Sequence, residues 1–160
     1  MADVPARDFE EFARPHLKVM SAVAVRYAGV DDAADVVQEA LLRGWRRWST
    51  FDQARGSART WLVAIVLDQC RRSRKLRARR RTTLSAIEQR RSGPTEAAHR
   101  LDIEWALRSL PRRQREAATL YYLADLSVQD TAKLMSVSEG TVKAALSAAR
   151  SALRTRLENP

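Results

Sequence analysis

The sequence predicts an all-α protein of two small helical domains, roughly 1–76 and 99–160, joined by a flexible basic linker over 77–98. Three observations carry this. Apolar residues recur at three- and four-residue spacing, with no strand-like alternation. Glycines and prolines number five each, and few of them interrupt the apolar-periodic stretches. Charge is unevenly placed: residues 1–70 carry nine Lys/Arg against ten Asp/Glu, 71–91 ten against one, and 92–160 ten against eight. Nearly all of the net +10 therefore sits in one short stretch between two almost neutral blocks, as expected for two folded units on a basic connector.

In the first block Phe9, Phe12, Leu17, Met20, Val23 and Tyr27 keep a helical spacing. Gly29 reads as the stop, and Asp31 and Asp32 as the cap of a second helix running from about Ala33 to Trp48. Phe51–Arg59, with Gly56 and small polar residues, reads as a loop. A third apolar helix follows over about Thr60–Gln69 before the basic run RRSRKLRARRR at 71–81. Adjacent Gly93 and Pro94 mark the clearest break.

The second block resumes with Ile103, Ala106, Leu107 and Leu110, stops at Pro111 and restarts as a helix over Arg112–Leu123. Two further helices are expected over Val128–Met135 and from Ser138 to about Leu157, separated by a turn at Ser136–Val137. This last pair has the spacing of a helix-turn-helix. Ala132 is small where the helices cross, Met135, Val137, Val142 and Leu146 are apolar where they pack, and Ser138 caps the second helix. The outer face of that helix carries Glu139, Thr141, Lys143, Ala144, Ser147 and Arg150, residues placed to meet base edges and phosphates.

Several classes of function find no support. A lone cysteine, Cys70, forms no intramolecular disulfide, and no Cys/His spacing offers a metal site, so neither metal nor other cofactor is expected. Arg71 and Arg72 favour a Cys70 thiolate, but a single thiol on a helix is more often inert packing. The N-terminus has no secretory signal, and no stretch approaches the ~18 apolar residues of a membrane span, so a cytoplasmic protein without membrane insertion is expected. His16 and His99 stand far apart without a nucleophile motif, and P-loop, GxGxxG and HExxH are all absent; no enzyme and no small-molecule substrate is expected.

The segment LRSLPRRQREAATLYYLADLSVQDTAKLMSVSEGTVKAAL resembles region 4 of the extracytoplasmic-function sigma factors, with the GTVK signature at Gly140–Lys143. ADVVQEALLRGWRRW, Ala34 to Trp48, is similar to their region 2.2. The resemblance covers most of the chain. It implies a subunit that binds core RNA polymerase, recognises the −10 and −35 elements of promoter DNA and promotes melting, with an anti-sigma factor as a further partner. Asp35, Gln38, Glu39 and Leu42 then face the polymerase clamp. Spacings of three and four place Asp35, Gln38 and Glu39 on one helical face.

By the same resemblance Trp48, Phe51, Asp52, Gln53, Arg55, Ser57, Arg59 and Trp61 serve the −10 strand and melting, since aromatic faces and guanidinium planes replace lost base stacking. Tryptophans at these spacings, Trp45 among them, also fit a plain core. Arg71, Arg72, Arg74, Arg112 and Arg115 take backbone phosphate, while Ser138, Glu139, Thr141, Lys143, Ala144, Ser147 and Arg150 meet the −35 element.

Three departures from the family stand out. Asp68 occupies a position where relatives commonly carry asparagine; a carboxylate near DNA repels phosphate unless it faces inward. Ala145 and Ala148 stand where arginines are common. The basic run is also unusually dense, its first half continuing a helix and its second half expected to be disordered. Two alternatives remain open: a free-standing dimeric helix-turn-helix regulator, which leaves Asp35–Glu39 without a task, and a sigma-like adaptor that has lost promoter reading.

Overall fold

The structure is a computed structural model that describes residues 6–83 and 107–158, and among these it contains helices, turns and loops only. Two compact units are present. One is built on the residues up to Thr83 and takes in the short stretch Leu123–Leu126; the other holds the remaining described residues.

In the first unit α1 (Ala6–Ala13) runs into a 3-10 turn over Arg14–His16, then α2 (Leu17–Ala28), α3 (Val30–Arg47), a 3-10 turn over Trp48–Thr50, and α4 (Ala58–Thr83). The periodicity from Phe9 to Tyr27 is thus split in two, because Pro15 supplies no N–H and the chain tightens around it. Gly29 ends α2 at φ +93°, a conformation that costs a residue without Cβ little. Gly29 is also the cap of α3, so Asp31 and Asp32, expected as caps, lie in the first turn and complement the helix dipole there.

Helices α2, α3 and α4 pack pairwise around Met20, Val23, Ala24, Val36, Ala40, Leu62, Val63, Val66 and Leu67, all essentially buried. The covered residues of α3 are Ala33, Val36, Ala40 and Gly44. A Cβ on Gly44 would stand 3.0 Å from Cζ of Phe9, so the missing side chain is what lets α1 lie on α3.

The helix expected to end near Gln69 continues to Thr83, seven residues into the stretch expected to be linker; residues 84–98 lie outside the described ones. Arginine and lysine are good helix formers, so a run that looks only solvated still propagates a helix already nucleated by a buried face. Arg77 closes an ion pair with Asp32 across to α3.

The second unit holds α5 (Arg112–Ala118), all but the last residue of a π turn over Thr119–Leu123, α6 (Val128–Met135) and α7 (Glu139–Glu158). The helix expected to be uniform over Arg112–Leu123 changes character at Thr119, whose hydroxyl donates back to the Arg115 carbonyl at 2.8 Å, a bond that competes with regular winding. The core is built largely of alanine: Ala117, Ala132, Val142 and Leu146 form one cluster, and Leu110, Ala118 and Ala149 another. Side chains this short let the helices approach closely.

Candidate polymerase and nucleic-acid surfaces

The turn between α6 and α7 is closed by backbone geometry. Ser136 sits in the left-handed region at φ +55°; its N–H donates to the Lys133 carbonyl at 3.2 Å and the Val137 N–H to the Ala132 carbonyl at 3.1 Å, which satisfies the end of α6. Ser138 then caps α7 by accepting the Thr141 N–H at 3.2 Å, and its hydroxyl also bonds that of Thr141 at 2.9 Å. Ala132 and Val142 are buried at the crossing, with Met135 and Val137 packed against them. Of the residues expected on the outer face, Ser138, Glu139, Lys143, Ala144, Ser147 and Arg150 are exposed and Thr141 is half-buried. Lys143, Ser147 and Arg150 continue at helical spacing to Arg154, an exposed cation the sequence reading had not included.

The two alanine departures are not equivalent. Ala145 packs against the core cluster, whereas Ala148 is exposed. Arg112 is exposed, but Arg115 turns back to donate to the Arg108 carbonyl at 2.8 Å, which occupies part of the guanidinium expected to meet phosphate.

On α3, Asp35, Gln38, Glu39 and Leu42 are all exposed on one side of the helix, opposite its buried stripe. Trp45 extends that outer side at 48% exposure, beside Leu42 at 47%. Beside them runs an apolar groove of about 430 Å³ lined by Phe9, Ala13, Leu17, Leu41, Leu42 and Trp45, with the Glu10–Arg14 ion pair on its edge.

Trp45 thereby stands apart from Trp48, Phe51 and Trp61, which gather on Phe12. Trp48, Phe51 and Trp61 lie 5.6, 4.9 and 6.1 Å from its ring, and Phe51 and Trp61 are 5.5 Å apart. All three are half-buried, so each is both packing and partly accessible surface. The loop they hold is shaped by its own polar groups: Asp52 Oδ1 accepts the Ala54 N–H at 2.9 Å, and Ser57 Oγ accepts the Thr60 N–H at 3.1 Å as the start of α4. Two residues expected to face DNA thus spend their side chains on loop geometry. Gln53 and Arg55 are exposed on the loop, while Arg59, expected in it, falls in the first turn of α4 and is half-buried.

Along α4, Arg71, Arg72, Arg74 and Lys75 are exposed. Asp68 is neither turned inward nor bare. Its Oδ2 accepts from Arg43 Nη1 and Arg72 Nε, each at 3.2 Å. Cys70, two residues on and on the inner side of α4, is fully buried, and burial pushes its thiol up to about 11 despite the opposing pull of Arg74 and Arg71. Burial, helped by the Arg59 charge, lowers the His16 pKa, and its Nδ1 is buried without a hydrogen-bond partner.

Residues 12–82 match the family model described as Sigma-70 region 2, and residues 100–153 that described as Sigma-70, region 4. The ECF RNA polymerase sigma factor SigL of Mycobacterium tuberculosis is 33% identical over 151 residues, which cover 89% of this chain and 85% of that protein. SigM of the same organism is 28% identical over 143 residues, 89% and 72% of the two chains. Among solved structures, the sigma factor RpoE in its complex with the anti-sigma factor NepR from Bartonella quintana matches with a TM-score of 0.77 at 25% identity, over 96% of this chain and 99% of that one. With two regions in order and relatives matched over most of their length, this chain belongs to the extracytoplasmic-function class of RNA polymerase sigma factors.

Proposed function

We propose that this sigma factor docks on core RNA polymerase through Asp35, Gln38, Glu39 and Leu42, holds the opened −10 strand at Trp48–Trp61 and reads the −35 duplex with α7. Nucleotidyl transfer belongs to the polymerase; sigma factors are not an enzyme family. The observation that carries the reading is the outer face of α3. Two carboxylates, an amide and a half-exposed leucine lie side by side with no structural task of their own, in the region that matches Sigma-70 region 2. A partner surface bearing cations and an apolar patch suits them.

The −35 role rests on the α6–α7 pair and on the exposed cations Lys143, Arg150 and Arg154. The −10 role rests on the loop Asp52–Ser57 backed by the aromatic cluster, with Gln53 and Arg55 as its accessible groups and Arg71, Arg72 and Arg74 following the phosphates. In the domain map, 1–76 and 99–160 act as the two binding units and 77–98 connects them. An anti-sigma partner fits the same assignment, since such a protein accompanies the RpoE relative. Among the described residues no helix is long and apolar enough to cross a membrane.

The test is a Gln38→Ala/Glu39→Ala variant. Native-like circular dichroism, weakened binding to core enzyme and lost transcription are expected, because exposed polar groups contribute little to stability but buried interface groups contribute several kcal/mol to association. A variant that binds core and initiates like the parent removes the assignment. Tight binding of the parent to a palindromic operator as a dimer, with no affinity for core, replaces it with the free-standing regulator.

A further inference from the structure

Helix α4 carries one acidic residue, Asp68, among the cations Arg59, Arg71, Arg72, Arg74, Lys75, Arg77, Arg79, Arg80 and Arg81. The placement of that single carboxylate is specific. One oxygen, Oδ2, takes both Arg43 Nη1 from α3 and Arg72 Nε from one turn further along α4, each at 3.2 Å. The two guanidiniums are held differently. The Arg43 side chain is 22% exposed and has a second acceptor, Gln69 Oε1, at 3.3 Å; that of Arg72 is 54% exposed. Arg43 is thus a fixed seam between the helices, and Arg72 is the member that can leave.

We propose that Asp68 is a positioning residue that stands in for a DNA phosphate. Without DNA it occupies the Arg72 guanidinium; on promoter engagement Arg72 exchanges it for a backbone phosphate while Arg43 keeps the carboxylate neutralised. This rests on the reading of α4 as a phosphate-following helix. An exposed pair four residues apart is weak and salt-screened, so a phosphate drawn in by the surrounding cations displaces it readily. The exchange still subtracts from affinity, because one contact is broken for each one made. Asp68 therefore sets how strongly the first unit grips DNA irrespective of sequence, and leaves more of the discrimination to base contacts elsewhere.

The proposal makes Arg72 a conditional phosphate ligand and Arg74, which has no bond to Asp68, an unconditional one. The experiment measures promoter binding by the chain loaded on core enzyme, across a salt series, for the parent, Asp68→Asn, Arg72→Ala, Arg74→Ala and both arginine changes in the Asp68→Asn background. Asp68→Asn is expected to tighten binding across the salt series, because Arg72 then meets a phosphate without giving up a carboxylate. Arg72→Ala should weaken the parent by no more than about twofold but the Asp68→Asn protein by roughly tenfold, whereas Arg74→Ala should cost the same factor in both. Equal Arg72→Ala losses in the two backgrounds overturn the exchange. So does a background dependence shared by Arg74, which would make Asp68 a diffuse counter-charge. If neither the parent nor any variant binds promoter with core, the sigma assignment of this helix fails, and the proposal with it.

Discussion

Phe12 and Phe51 meet edge to face, ring centroids 4.9 Å apart and planes at 63°. The contact joins α1 to the first residue after the 3-10 turn that follows α3, so a side chain far from the loop in sequence fixes where the loop begins. Phe12→Ala should lower stability by roughly 2 kcal/mol, a half-buried ring being worth less than a core one. Core binding should persist while promoter opening, followed by permanganate reactivity of unpaired thymines, falls sharply. Parent-like opening by this variant would show that the loop keeps its shape without its aromatic backing.

Ala145 and Ala148 give a paired prediction. Arginine at the exposed position 148 adds a cation to the outer surface of α7, on a different flank from Lys143, Arg150 and Arg154, and should raise affinity for −35 duplex with a salt slope steeper by about one. Arginine at 145 inserts a long charged group against the core cluster and should cost about 1–3 kcal/mol by thermal or urea unfolding. Should 145 accept arginine at no cost, the packing of α7 described above is wrong.

Cys70 should behave as a buried thiol. Disulfide reagents at pH 8 should modify it only as fast as the protein unfolds, and urea should make it react at once. Because its folded pKa is raised to about 11, the unfolded chain releases the proton first, so stability is intact below the ordinary value of 9.0 and falls as pH climbs from there. Rapid modification of the native protein at pH 8 would point instead to the accessible thiolate that Arg71 and Arg72 favour.

Trypsin offers a check on the domain map. The continuation of α4 to Thr83 places Arg71–Arg81 in helix, so the first cuts should follow Arg90, Arg91 or Arg100, around the Gly93-Pro94 break, and leave two resistant fragments. Early cleavage after Lys133 or Lys143, inside the α6–α7 pair, contradicts the map.

What the sequence made legible is what is settled within a turn or two of the chain. Ser138 as a cap, the turn at Ser136–Val137 and the inward Ala132, Val142 and Leu146 follow from local chemistry and a 3.6-residue period. The α3 face was readable for the same reason. The Asp68 cluster was not, because Arg43 lies 25 residues away and nothing in the spacing names it. Nor was the gathering of Trp48, Phe51 and Trp61 on Phe12, a long-range arrangement that also sent Trp45 elsewhere. The length of α4 was misjudged because a run of arginines was weighed by its charge and not by its helix propensity.

No residue on the covered side of α3 is larger than valine, and at Gly44 a ring occupies the place of a side chain. A helix seated so shallowly keeps its fit to the bundle in four small residues and leaves its outer side free of packing duties. The two sides can therefore change on separate evolutionary clocks: partner preference drifts outward without reopening the core, and the outer side of α3 from another member of the class can be transplanted here as long as Ala33, Val36, Ala40, Gly44 and the Arg43 seam stay.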